Sequence, residues 1–236
     1  MTAHKGSAKV GTIYRGSTKI ARVFKGDVKV FGDYKIIANT ATANGTVVVP
    51  ANVFRIDLLA VGGGGGGATS TFYHGSKWQG RAGASGAVCR SVFTGQVAKN
   101  LRGKTLTYTV GAGGVAGGGE VSAGPNSSSG RNGGDGGTST ITGDEIAMSA
   151  TGGKGGMGGW YNNGHAAAAG TATGGNNLNK SGYAAPYNAS NVFAPTPSAW
   201  DDKTTGYGAG GWQEAYDGTI HAGVTGCVHW VFYVSE

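Results

Sequence analysis

Two-residue alternation between apolar and polar positions marks segment 54–61, where Phe54, Ile56, Leu58 and Ala60 share one face while Arg55 and Asp57 point away. The segment reads as a strand, and it runs straight into six glycines, 62–67. The same succession recurs. Residues 105–110 run into the glycine-rich stretch 111–119, and residues 146–151 run into 152–159. Further strands are predicted at 46–49, just before Pro50, and at 86–93, 138–141 and 146–150. In the last strand Val228, Trp230, Phe232 and Val234 alternate with Cys227, His229, Val231 and Tyr233, which predicts burial on both faces. No segment carries a helical period of convincing length; 92–102 and 166–169 are too short or flanked by glycine. The predicted class is all-β, with a glycine-rich, β-sandwich-like domain as its main body.

Glycine changes this picture most. Of the 49 glycines only six precede residue 62. Glycine loses more conformational entropy on ordering than any other residue, so these runs are either closely packed through their backbones or not ordered at all. Gly152-Gly153-Lys154, Gly155-Gly156-Met157 and Gly158-Gly159-Trp160 repeat with a strict period of three, matching the three residues per turn of a polyproline-II-like helix. Lys154, Met157 and Trp160 then lie along one edge. The other two edges carry only hydrogen, so neighbouring segments can approach until their peptide N–H and C=O groups bond between segments. Residues 133–138 show the same phase. A flexible Gly/Ser linker is the plainer reading, but linkers do not alternate with strands and aromatics. Polyglycine-II-like segments are therefore expected.

The first 32 residues are built from a ten-residue repeat whose units carry a basic residue, then Gly, then Ser or Asp, with a second Lys three positions after the Gly. Such units predict a short β-meander with turns at Gly6, Gly16 and Gly26. The formal charge of +7 is concentrated here, because residues 1–37 hold eight Lys and Arg against Asp27 and Asp33. Residues 1–37 are read as a basic docking or oligomerisation module, with Lys5, Arg15, Lys25 and Lys29 as docking residues. Residues 38–45 are read as a small, polar linker, and 46–236 as the glycine-rich domain. No nucleic-acid module accompanies the charge, so no nucleic-acid partner is expected. Cys89 and Cys227 are too few for a disulfide scaffold and are expected reduced and buried in strands. The N-terminus lacks the apolar core of a signal peptide, and no segment approaches the length of a membrane span.

Candidate chemistry is sparse. Gly103-Lys104-Thr105 mimics the end of a phosphate loop, but position 98 is Ala and a strand is predicted to follow. Glycines 62–67 satisfy a dinucleotide fingerprint trivially and open into no helix. Cys227, His229 and His221 suggest soft-metal ligands only weakly, since no paired Cys-x-x-Cys supports them. Asp201 and Asp202 read as a solvated loop tip, and Asp135 and Asp217 lack the repeat spacing of calcium-binding rolls. No catalytic residue, metal or cofactor is expected, and no enzyme. The aromatics are more informative. Tyr73, Trp78, Trp160, Tyr161, Tyr187, Trp200 and Trp212 stand among Gly, Ala, Asn and Ser, the make-up of paratopes, and are the candidate receptor-binding residues. The alternative is that these rings plug a glycine lattice from within.

The run Val47-Val48-Val49-Pro50 leading into an apolar strand and glycines 62–67, with 109–114 and 133–139 downstream, resembles the glycine-rich domain found in bacteriophage tail and fibre proteins. The ten-residue repeats are similar to short basic repeats of phage virion proteins, and the whole resembles tail-tip adhesins with packed polyglycine-II cores. The resemblance implies a virion component, made in the host cytoplasm without a signal peptide. It also implies a homotrimer that docks to other tail or fibre proteins and contacts a host surface glycan or outer-membrane protein. An architectural collar, decoration or baseplate protein fits the same residues, and an ice- or carbohydrate-binding polyglycine protein is a third reading.

Overall fold

The computed structural model describes residues 13–15, 18–20, 23–25, 28–31, 34–73, 76–78, 80–118, 121–122, 130–158, 167–185, 196–203, 206–212 and 219–235. In chain order the strands are β1 (Ile13–Arg15), β2 (Thr18–Ile20), β3 (Val23–Lys25), β4 (Val28–Phe31), β5 (Tyr34–Ala41), β6 (Gly45–Val48), β7 (Val53–Val61), β8 (Thr71–Tyr73), β9 (Ser76–Trp78) and β10 (Val88–Thr94). After the short helix α1 (Gly95–Asn100) come β11 (Thr105–Thr109), β12 (Val121–Ser122), β13 (Ser139–Gly143), β14 (Ile146–Ala150), β15 (Ala172–Thr173), β16 (Leu178–Lys180) and β17 (Cys227–Ser235). The fold is all-β, as the alternation predicts.

Two five-stranded antiparallel sheets form a sandwich. The first has the order β16-β10-β7-β17-β5 and the second β15-β14-β13-β11-β6. Between them Ile56, Leu58 and Ala60 of β7 and Val228, Trp230, Phe232 and Val234 of β17 meet Leu106, Ile141, Ile146 and Met148 of the second sheet, with Ala98 and Leu101 closing the side. This is the apolar face that the period of two predicts for β7. In β17 only that face is fully buried. His229, Val231 and Tyr233 are half-buried, because among the described residues the opposite side of the first sheet has no second layer as continuous as the inner one.

Where the strands stop, the chain does not turn; it continues as glycine-rich segments that leave or enter the same sheets. Segment 62–69 extends β7, and 80–87 leads into β10. Segment 111–117 follows β11, 130–137 leads into β13, 151–158 follows β14 and 219–226 leads into β17. Residues 61–71 are buried without interruption. Their amides serve three neighbours in strict rotation. Gly62, Gly65 and Ala68 donate to Ala87, Ala84 and Arg81; Gly63, Gly66 and Thr69 donate to Gly137, Gly134 and Arg131; Gly64 and Gly67 donate to Val224 and His221. Their carbonyls serve three more. Gly63 and Gly66 accept from Gly153 and Gly156, Gly64 and Gly67 from Gly114 and Gly117, and Gly65 from Gly211. All of these bonds are between 2.7 and 3.0 Å.

This is the three-residue packing that the Gly-Gly-x spacing predicts, and it explains the six consecutive glycines. A peripheral segment has one edge free for a side chain, and Lys154, Met157 and Val115 occupy such edges. The central segment has neighbours on every edge. A Cβ on Gly62, Gly63, Gly64, Gly65 or Gly66 would overlap the carbonyl oxygen of Thr151, Ala112, Ala209, Lys154 or Val115, respectively. The second enclosed segment, 82–87, tolerates only Gly, Ala and Ser, all of them buried. Ser139 stitches the lattice to the sandwich: its buried hydroxyl donates to the Val61 carbonyl at 2.6 Å and accepts from the Gly111 amide at 2.9 Å.

The N-terminal repeat folds as hairpins. β1 pairs with β2 around positions 16–17, and β3 with β4 around 26–27, as the repeat predicts. Among the described residues β2 and β3 do not pair, so these are two hairpins rather than one meander. Their connection contains Ala21 and Arg22, which have none of the turn chemistry of the Gly-containing loops. The segment 38–45 also departs from expectation. Residues 38–41 are not linker but the second half of β5, held along β17 from Tyr34↔Ser235 to Ala41↔Val228.

Candidate binding surfaces: the lattice tip and a lateral cleft

The topology gives the domain two poles. At the lattice end Thr69 bonds Arg131, Ala68 bonds Arg81, Arg81 bonds Met157, His221 bonds Trp212 and Ala185 bonds Ala167, so all these residues sit at one level. The chain leaves and re-enters the lattice there at 118 and 130, at 158 and 167, and at 212 and 219. The small sheet β12-β8-β9 stands at the same end, with β12 parallel to β8. At the sandwich end Tyr34 pairs with Ser235, the described residue of β17 furthest from the lattice. The basic repeats therefore join the domain at the pole opposite the lattice tip.

The structure sorts the sequence-predicted residues along this axis. Tyr73 and Trp78 lie in β8 and β9, whose backbones pair at the tip. Trp160, Tyr161 and Tyr187 lie outside the described residues. Trp212 is at the tip but only half-exposed. Its ring stacks on His221 with centroids 4.2 Å apart and packs on a cluster of Ala82, Ala84, Ala167 and Ala185, the plugging arrangement that was the alternative. Lys5 lies outside the described residues; Arg15, Lys25 and Lys29 lie in β1, β3 and β4.

Trp200 is not at the tip. It sits beside β17 on the outer face of the first sheet, level with residues 57–59, about 30 Å from the tip at about 3.1 Å per residue. A tight turn holds it. The Ser198 hydroxyl donates to Tyr207 O at 2.6 Å and accepts from the Trp200 amide at 3.1 Å, while the Ser198 carbonyl accepts from the Asp202 amide at 3.0 Å. The indole stacks on Tyr207 at 5.8 Å, lies 6.5 Å from the His229 ring and is 39% exposed.

Beneath Trp200 the outer face carries charges that alternation alone left as solvated. Arg55 grips both oxygens of Asp57 at 2.8 Å, and Arg90 adds a contact of 3.2 Å to the same carboxylate. Burial pushes the Asp57 pKa up, but the Arg55 hydrogen bond and charge, joined by Arg90, outweigh it and hold the group below the ordinary carboxylate range. The His229 ring nitrogen Nδ1 is 2.8 Å from Thr40 Oγ1, and burial lowers the basicity of that imidazole. Lys180 donates to the Ala199 carbonyl at 2.7 Å. Arg90 and Lys180 are the residues that sequence reading missed. For Arg90 the signal was present in β10, where it stands between Val88 and Val92 on the outer face; Lys180, in the short β16, had none.

The other motifs have structural duties. Gly103, at φ +70°, closes the turn after α1 and leads into β11. Asp135 takes Lys154 Nζ at 2.6 Å and the Gly155 amide at 2.9 Å, tying two lattice segments. Cys89 and Cys227 are free and buried, and burial raises the Cys227 thiol to about 12. Among the described residues no three His, Cys, Asp or Glu side chains converge on a point.

The sequence profile of a glycine-rich domain family matches residues 40–231. The chain belongs to that family. The match begins within β5 and ends within β17, so the glycine-rich domain comprises both sandwich and lattice and leaves the basic repeats outside. No curated protein matches the chain.

Proposed function

We propose that this chain is a bacteriophage virion component of the tail or fibre, an adhesin that docks through its basic repeats and meets the host surface with its lattice tip. One observation carries the reading: the repeats join the domain at the sandwich pole, opposite the lattice tip where β8 and β9 with Tyr73 and Trp78 pair. A lattice closed by main-chain bonds is a stiff mount, and recognition residues are commonly carried on loops held by such a scaffold. The partners on this reading are other tail or fibre proteins at Lys5, Arg15, Lys25 and Lys29, and a host surface glycan or outer-membrane protein at Tyr73, Trp78, Trp160, Tyr161 and Tyr187. Assembly as a homotrimer is supported by β5, whose outer edge has no strand partner among the described residues and where Tyr34 and Ile36 are each 52% exposed. The chain acts in the virion and is made in the host cytoplasm.

The packing of Trp212 on alanines favours a second reading, an architectural collar, decoration or baseplate protein in which the tip rings only cap the lattice. Immunogold labelling of intact particles tests the location. Adsorption by particles carrying Trp160→Ala and Tyr187→Ala separates the two readings: impaired adsorption with normal particle assembly supports the adhesin, and unchanged adsorption supports the architectural role.

A further inference from the structure

The cleft beneath Trp200 has a volume of about 370 Å³, within the range of small-molecule sites. Its floor is apolar, formed by Leu59, Val88 and Val231, and the Trp200 indole forms a wall. Two cations reach into it. Arg55 already matches the charge of Asp57 with both arms of its fork, so Arg90, which adds a single contact of 3.2 Å, brings a positive charge in surplus. Lys180 brings another, offset only by Asp202 at 3.9 Å. Around the cleft and the Trp200 turn Arg55, Arg90, Lys180 and Lys203 thus exceed Asp57, Asp201 and Asp202 by one charge. The acceptors that a neutral sugar would need are engaged as well: Asp57 by two guanidinium groups and Asp202 Oδ1 by the Tyr183 hydroxyl at 2.7 Å.

We infer that this lateral cleft binds an acidic pyranose, a uronic-acid residue or another carboxylated sugar of a glycan. The sugar's C–H face lies on the indole and the apolar floor, and its carboxylate is taken by Arg90 and Lys180. A guanidinium and a carboxylate make charge-assisted bonds about twice as strong as neutral ones. An aromatic wall with a polar rim suits a ring that is apolar on its face and polar at its edge. A compact, fully hydrated anion gains nothing from the apolar floor. The cleft stands on the flank of the first sheet, away from the tip, so the assignment is independent of what the tip contacts.

The test is an NMR titration of the full chain that follows the Trp200 indole signal, assigned with Trp200→Leu, against methyl glucuronide, methyl glucoside and phenylacetate. Saturable binding of the glucuronide is expected, with the glucoside and phenylacetate each about tenfold weaker. Arg90→Gln should abolish the preference over the glucoside. Because Arg90 also braces Asp57, Lys180→Met serves as the second variant and should weaken glucuronide binding alone. Equal binding of the two glycosides, tighter binding of phenylacetate, or no saturable glucuronide binding overturns the assignment. Glucuronide binding by a chain whose particles adsorb independently of it upholds the cleft and counts only against the adhesin reading.

Discussion

The sandwich and the lattice are continuous in the same chain segments yet are held together by opposite means. Up to Val61 the cohesion of β7 lies in what its side chains fill: Ile56 and Leu58 are closed off by Phe232 and Met148. From Gly62 onward it lies in what the side chains leave out, because its amides and carbonyls are shared out among six neighbouring segments. Close packing is thus reached once by volume and once by its absence, and the same mutation has opposite meaning in the two regions.

The sharpest way to break this comparison is to add one methyl group to the lattice and remove a whole ring from the sandwich. Gly64→Ala places a Cβ into the carbonyl oxygen of Ala209, a main-chain atom with no rotamer to escape into. Its loss should exceed the usual overpacking cost and reach about 4 kcal/mol. Phe232→Ala, at a fully buried site, should cost about 3–4 kcal/mol. Chemical denaturation of both variants checks the ranking, and a Gly64→Ala change smaller than about 1 kcal/mol would show that the lattice is not closed on all edges.

At the seam, Ser139→Ala leaves the Val61 carbonyl and the Gly111 amide without their buried partner. About 1–3 kcal/mol should be lost, measurable as a lower thermal midpoint; Ser139→Thr, which keeps the hydroxyl, should recover part of it. On the outer face of the sandwich the effect depends on pH. Asp57 is held below its unfolded pKa, so its contribution is complete above about pH 4 and disappears as pH falls through the depressed folded value. Wild type should therefore lose stability on acidification more steeply than Asp57→Asn, and parallel pH profiles would contradict the Arg55–Asp57–Arg90 arrangement. The smallest effect is expected on the lattice exterior. Lys154 and Asp135 form a pair with side chains 62% and 53% exposed, so Lys154→Ala should change stability by less than about 0.5 kcal/mol. A larger loss would mean that exposed pairs, as well as peptides, hold the lattice.

Much of this was legible in advance because it rests on local periods. The period of two located β7, β14 and β17, and Ile146–Ala150 agrees to the residue. The period of three in Gly-Gly-Lys and Gly-Gly-Met announced both the lattice and the outward edge that Lys154 and Met157 occupy. Residues 38–41 were misread because their extended form depends on pairing with β17, nearly 190 positions away, and not on their own small, polar side chains. The separation of Trp200 from the tip aromatics was invisible for a similar reason. Composition marks a residue as suited to recognition but carries no coordinate along the domain axis.

What the chain decides by itself is the alternation of strand and glycine, the alphabet allowed at each lattice position and the concentration of charge before residue 38, since each follows from side-chain size, backbone freedom or charge read residue by residue. Only the tertiary structure decides that 62–69 is the enclosed segment, that the repeats and the lattice tip stand at opposite poles, and that Arg90, Lys180 and Trp200 line one cleft with Asp57. Those outcomes depend on which distant segments become neighbours. That choice is made by the joint satisfaction of peptide groups across the whole domain.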